Sequence, residues 1–337
     1  MSFVPFRGKN YSARAFRCKK LDAFVEVLAY ESSQMKIVLT GGSGFIGKRL
    51  IEKLVSAQHN IVLLSRNPSS VNMSIWYTVA VKQWDGKNPG DWAADVDGAD
   101  AVMNFAGEPI AAKRWTTAQK EKIINSRVDA TRAIVDAIKQ AKRKPSVLIN
   151  ASAVGYYGSV ENDEVTEAYK RGDGFLPIVC DKWETEARTA GNLGVRVVLL
   201  RMGVVVGEGG GALEKMALPF RMFVGGPVGS GKQWFPWVHR DDVVNIVLFA
   251  LENSRLSGPV NVAAPESVTM RQFCDALGKA MHRPSWAPVP SFVLRLALGE
   301  MAEMLLTGQR VVPSKLRLNG YSFRFPKLDG ALADIFS

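Results

Sequence analysis

The chain has 337 residues, 47% of them apolar and 22% charged, with a formal net charge of +11. That length supplies a sizeable core for one large or two unequal domains, and no apolar run reaches the roughly 18 residues of a membrane span. The basic residues are scattered rather than gathered into a stripe with stacking aromatics, so no nucleic-acid partner is expected.

Three cysteines (Cys18, Cys180, Cys274) and three histidines (His59, His239, His282) are dispersed along the chain. Neither set has the spacing of a disulfide framework or a metal centre, so no metal is expected and a reducing compartment fits. Residues 1–34 precede the first strand, and up to Lys20 they carry six basic and no acidic side chains. They read either as an extension ahead of a start at Met35, in a cytoplasmic protein, or as a plastid or mitochondrial transit segment; both readings expect poor order.

The run Lys36-Ile-Val-Leu-Thr-Gly-Gly-Ser-Gly-Phe-Ile-Gly-Lys organises the rest of the chain. A β-branched strand at 37–39 turns through Gly41, Gly42, Ser43 and Gly44 into a helix whose apolar face holds Phe45, Ile46, Leu50, Ile51 and Leu54. Such a helix start presents unpaired backbone N–H groups and the positive end of a dipole, a device for phosphate. Gly41 permits the tight turn, Gly44 the approach of a pyrophosphate and Gly47 close helix–sheet packing, so a dinucleotide is expected.

The second strand, 60–64, ends at Ser65 and Arg66 where a carboxylate would mark NAD. A hydroxyl and a guanidinium stand there instead, and Arg suits the 2′-phosphate of NADP(H). A strand at 79–84 runs to Asp85, a candidate acceptor near an adenine. The next strand ends in Phe105, Ala106 and Gly107, small residues at the last two positions letting backbone lie against a cofactor. Apolar spacing over 116–142 predicts a helix of about seven turns, and the strand 147–152 ends at Ser152. This alternation predicts an α/β fold, a Rossmann-type doubly wound parallel sheet.

A further strand, 195–200, leads to Arg201. The glycine-rich residues 207–211 read either as a connection or as a second phosphate-holding loop. Residues 212–240 gather methionines and aromatics near the expected cleft, and Asp241-Asp242 open a helix as dipole-favouring caps. Residues 258–265 read as a final strand and turn, followed by helices at 269–281 and 292–306. The domain reading is 35–205 for the dinucleotide domain, its sheet completed by about 236–265, and 206–337 for a smaller C-terminal substrate lobe over the carboxyl ends of the strands.

The glycine motif, Asn104-Phe-Ala-Gly, Ala151-Ser-Ala-Val-Gly-Tyr-Tyr-Gly and Arg201-Met-Gly-Val-Val-Val-Gly together resemble the extended short-chain dehydrogenase/reductase superfamily. Gly229-Ser-Gly-Lys-Gln-Trp-Phe-Pro-Trp-Val-His-Arg-Asp-Asp, Arg283-Pro-Ser-Trp-Ala-Pro-Val-Pro and Gly308-Gln-Arg-Val-Val-Pro resemble one atypical branch of it. That branch is the "epimerase family protein" or SulA-like group, which has its own C-terminal module, of the DUF1731 kind. The resemblance covers residues 35–336 and implies an NADP(H) site that also involves Phe105, Arg127, Arg201 and Val205.

The superfamily works with a Ser, a Tyr-x-x-x-Lys helix and an Asn. The resemblance puts Ser152 and Lys182 at the Ser and Lys positions, but Ile178 at the Tyr position and Arg127 at the Asn position. Isoleucine transfers no proton. Substitute acids are Tyr156, Tyr157 and Cys180, with Ser152, Lys182 and Tyr156 as the expected catalytic set. The expectation is an NADP(H)-binding oxidoreductase or epimerase-like protein with a small-molecule substrate of unspecified identity, or a non-catalytic NADP(H)-binding regulator.

Overall fold

The computed structural model describes residues 34–71 and 78–337; residues 1–33, with Cys18 and the extension or transit reading, lie outside the described residues. In chain order the elements are β1 (Lys36–Thr40), α1 (Phe45–Ser56), β2 (Asn60–Ser65), β3 (Val79–Gln83), β4 (Ala101–Asn104), α2 (Thr117–Gln140) and β5 (Val147–Ala153). They continue with α3 (Phe175–Arg188), β6 (Arg196–Met202), α4 (Gly211–Arg221), α5 (Arg240–Glu252), β7 (Gly258–Val262), α6 (Met270–Ala280) and α7 (Ser291–Leu298). Among the described residues these strands form a seven-stranded sheet in the order β3-β2-β1-β4-β5-β6-β7, with every neighbouring pair parallel. The order reverses between β1 and β4, the switch point where an open α/β sheet leaves a crevice.

Alternation along the strands builds one core on each face. Ile37 and Leu39 of β1 join Leu50, Ile51 and Leu54 of α1 and the buried face of α5. Val38 points the other way, into Ala130, Ile134 and Ile138 of α2 and the Trp84–Trp92 pair. Each enclosed aliphatic side chain contributes roughly 1.5–3 kcal/mol, so a one-residue register slip would invert both cores.

Beyond β6 a third core forms from Leu213 and Phe220 of α4, Trp237, Phe273 and Leu277 of α6, and Leu328 and Leu332 of the C-terminal helix Leu328–Phe336. α6 starts with a reciprocal capping box of Thr269 and Gln272. The helix expected over 292–306 is instead broken after Leu298, because Gly299 takes φ +62°. Asp241 and Asp242 are not the caps of α5: His239 Nδ1 accepts the cap hydrogen bond from the Asp241 N–H. The two carboxylates clamp the C-terminal segment, Asp241 through the Arg324 guanidinium and Asp242 through the N–H groups of Arg324 and Phe325, while Asp241 also ties α5 to Arg49 of α1.

Candidate functional site

The glycine turn between β1 and α1 is forced by packing. Gly41 sits at φ +73°, and a Cβ there would lie 2.5 Å from the Phe105 carbonyl oxygen; one on Gly47 would lie 2.2 Å from the Gly41 oxygen. Gly42 is buried and Ser43 exposed. α1 begins at Gly44 with no side-chain cap and no acidic residue in its first turn. The start of α1 is therefore open to an anion, with Phe45 and Ile46 as its first helical residues.

The strand ends around it are held by a buried polar chain. Asn104 donates to Asn150 at 2.7 Å and to Thr131 at 3.0 Å, while accepting from Thr40 at 2.8 Å. Its side-chain oxygen also takes the Ala106 N–H, and the Thr40 hydroxyl takes the Phe105 N–H. These bonds fix the backbone of Phe105 and Ala106, with Gly107 exposed beyond them. Each of these buried polar side chains is partnered, which makes the platform rigid.

Ser65 ends β2 and its hydroxyl accepts from the Asn67 N–H. Arg66 is exposed and has no hydrogen-bond or ion-pair partner among the described residues, while Glu108 lies within its electrostatic reach. Asp85 is engaged locally: its carboxylate accepts the N–H groups of Lys87 and Asn88 and the Asn88 amide, and these bonds, the Asn88 N–H foremost, hold its pKa below the usual range. Val205 lies in the short strand Val204–Val206, paired with Trp237–His239.

Two arginines expected along the cofactor have partners within the protein. Arg127 is buried on α2; it donates to the carbonyls of Glu108 and Ile123 and packs 5.1 Å from the Trp183 ring. It also lies against Gly107, where an added Cβ would come within 3.1 Å of its guanidinium carbon. Arg201 is 2% exposed and its guanidinium grips Glu184 of α3 with two bonds of 2.8 Å. The Glu184 carboxylate neutralises the buried Arg201 charge where it stands, whereas Arg127 engages only Nη1, on two carbonyls, and has no carboxylate partner among the described residues.

The expected catalytic set does not assemble either. Ser152 is 1% exposed and its hydroxyl donates to Glu184 Oε1 at 2.7 Å, inside the Arg201 network. The position that opens at the end of β5 is Ala153, one residue on. Lys182 is exposed on α3 without a partner among the described residues, one turn from Ile178, which is 39% exposed. The Tyr-x-x-x-Lys face is thus present as a surface but carries no acid. Tyr157 is buried, donating to Asn261 and accepting from Arg201, and burial pushes its pKa up to about 12. Cys180 is buried against the Ala153 carbonyl, and burial likewise pushes its thiol up to about 12. Tyr156 differs: it is half-buried, with the Arg201 guanidinium 3.6 Å from its ring centre.

Glu184 is the organising residue that sequence reasoning missed. It lies on the same helical stripe as Cys180 and Ala187, facing the core, and a carboxylate on such a stripe demands a buried cation. Arg201, ending a strand of buried aliphatics, is that cation. Among the described residues no group of His, Cys, Asp and Glu could hold a metal ion, and no helix is long and apolar enough to cross a membrane.

Residues 37–263 match the NAD dependent epimerase/dehydratase family, and residues 289–335 match a domain of unknown function, DUF1731. The Arabidopsis thaliana chloroplastic epimerase family protein SDR39U1 homolog is 41% identical over 310 residues, covering 90% of this chain and 88% of that protein. The Bacillus subtilis epimerase family protein YfhF is 38% identical over 306 residues, covering 90% and 98%. The crystal structure of the human epimerase family protein SDR39U1, isoform 2, with NADPH superposes with a TM-score of 0.80 at 36% identity, covering 89% of this chain and 99% of that one.

Proposed function

The chain belongs to the NAD dependent epimerase/dehydratase family, and from that premise we propose that it binds NADP(H) across the switch point and acts on a small molecule in the adjoining cleft. The carrying observation is the pairing of two features. One is an uncapped α1 start, closed to any residue larger than glycine at Gly41 and Gly47; the other is Arg66 at the end of β2, without a partner among the described residues. The first takes the pyrophosphate and the second the ribose 2′-phosphate. The human relative solved with NADPH supports the same choice. When bound, the cofactor supplies or accepts a hydride; the chain's own residues orient it through the Asn104-fixed backbone of Phe105 and Ala106.

For the proton, Tyr156 is the group we assign: it alone of the three substitute acids is not enclosed. Ser152 is a positioning residue of the Glu184–Arg201 network, and Lys182 shares the open face of α3 with Ile178. Turnover of NADPH with a panel of carbonyl compounds and sugar nucleotides tests this reading. Tyr156→Phe should lower the rate by about 10²-fold or more, the scale of general acid catalysis, with NADPH affinity unchanged. Full activity in that variant overturns the assignment.

The second reading, a non-catalytic NADP(H)-binding regulator, is favoured by the enclosure of Ser152 and the apolar Ile178 at the expected acid position. Tight NADPH binding with no turnover across the panel selects it. A thiol-reducing cytoplasm is the proposed compartment, with a plastid or mitochondrial matrix as the alternative, tested by following residues 1–34 through organelle import.

A further inference from the structure

A cavity of about 260 Å³ lies beside α1, lined by Phe45, Lys48, Arg49 and Glu52 of that helix and by Gly209 and Arg240. Its lining contains none of the glycines that form the β1–α1 turn, and it adjoins the phosphate-binding start of the helix only through Phe45. It is smaller than the roughly 300 Å³ at which whole-ligand pockets begin, a size for one charged group rather than a dinucleotide.

The charges around it do not cancel. Arg49 is engaged by Glu52 at 3.0 Å and by both carboxylate oxygens of Asp241, at 2.9 and 3.1 Å. Lys48 is exposed and its amine has no partner among the described residues. Arg240 stacks 5.0 Å from the Phe45 ring and uses one terminal nitrogen on the Glu208 carbonyl, while its other terminal nitrogen, Nη2, has no hydrogen-bond partner among the described residues. That nitrogen, unlike the buried Nε, is not enclosed, and it lacks a protein acceptor. The Phe45 ring also lies against Gly207, Gly210 and Gly211, which leaves no side chain on that flank to serve as one.

We propose that this cavity is a second anion site, in which Lys48 and the free edge of Arg240 hold a phosphate group. The same chemistry suits a free phosphate or the phosphate of a nucleotide-linked small molecule.

Titration of inorganic phosphate into the NADPH-saturated protein, and into the protein alone, tests it by calorimetry. Binding should persist with NADPH present and weaken about tenfold or more, the loss of one charge-assisted contact, in Lys48→Glu and in Arg240→Gln. Lys48→Glu alters an exposed side chain, so an unchanged melting temperature separates site loss from unfolding. Uridine diphosphate provides the second arm: tighter binding than phosphate with the same Lys48 dependence identifies a nucleotide-linked phosphate, and equal binding a free one. Phosphate binding that vanishes with NADPH, or that ignores both substitutions, overturns the proposal. Failure of NADPH to bind leaves the Lys48 dependence in the protein alone as the deciding result.

Discussion

Arg201 and Glu184 meet in a two-pronged ion pair, 2.8 Å at each contact, with side chains only 2% and 1% exposed. The pair bridges β6 to α3. It also collects Ser152 and Arg188 on the carboxylate and Tyr157 on the guanidinium. Removing one partner of such a pair strands the other charge in a dry setting.

Glu184→Gln should therefore lower unfolding free energy by about 3–5 kcal/mol. The double change Glu184→Leu with Arg201→Met should be less damaging than either single change, because no charge is left unpaired. Ser152→Ala removes one hydrogen bond to a charged acceptor and should cost about 1.5–3 kcal/mol, with NADPH affinity unaltered. Urea unfolding of the set decides it; a loss under about 1 kcal/mol in Glu184→Gln would place the pair among inert surface contacts.

Gly47→Ala tests the phosphate turn. The added methyl would sit 2.2 Å from the Gly41 oxygen and 2.6 Å from the Gly42 Cα, both backbone atoms. The turn must shift, and overpacking of this kind costs about 1–3 kcal/mol. NADPH binding should be lost together with that stability, whereas Gly191→Ala, with nothing within 4 Å of its new methyl, should leave both intact. An alanine at position 47 that binds NADPH normally would show that the turn does not hold the pyrophosphate.

Acid sensitivity should begin well above the carboxylate range. Burial pushes the His239 pKa below 6.5, outweighing the pull of Asp241 and Asp334, and burial does the same to His59. Between the folded values and 6.5 the unfolded chain binds protons that the folded chain does not, so stability falls as pH drops through that window. Asp241 acts elsewhere: burial would raise its pKa, but Arg49 holds it below 3.8, so its contribution is lost only in stronger acid. Urea midpoints at pH 7.5 and 5.5 should differ in wild type and converge when His239 and His59 are both replaced by Gln. An unchanged slope in the double variant would assign the sensitivity to other groups.

The sheet is legible in the sequence because its information is local. Runs such as 37–39 and 60–64 are too short and too aliphatic for anything but buried strands, and the glycine turn carries its own steric reason. The long helix, expected over 116–142, forms over Thr117–Gln140. The site is less legible, because whether Ser152, Arg127 and Arg201 face a ligand depends on partners far along the chain. Its place at a strand end points Ser152 to the cleft, yet Glu184, 32 residues on, takes its hydroxyl. The same holds for Asp241 and Asp242, whose partners Arg49 and Arg324 are remote in sequence.

Cofactor choice rests on Arg66. It stands one residue beyond β2, where the substituent on the adenosine ribose is read in this fold. A carboxylate would repel a 2′-phosphate; a guanidinium meets both its charge and its oxygens. Arg66 is exposed, and no ion pair among the described residues competes for it. It therefore breaks no existing contact to bind, but water screens what it gains. A charge-assisted contact of about 1.5–3 kcal/mol corresponds to roughly a 10- to 150-fold preference for NADPH over NADH. Arg66→Ala should remove most of that preference by weakening NADPH while leaving NADH nearly unchanged. Rising ionic strength should shrink the wild-type preference in the same direction, since an exposed ion pair is screened within about 10 Å at 0.1 M salt. Calorimetric titration of both cofactors into wild type and variant, at two salt concentrations, measures all of this, and equal wild-type affinities would reduce Arg66 to a solvated loop residue.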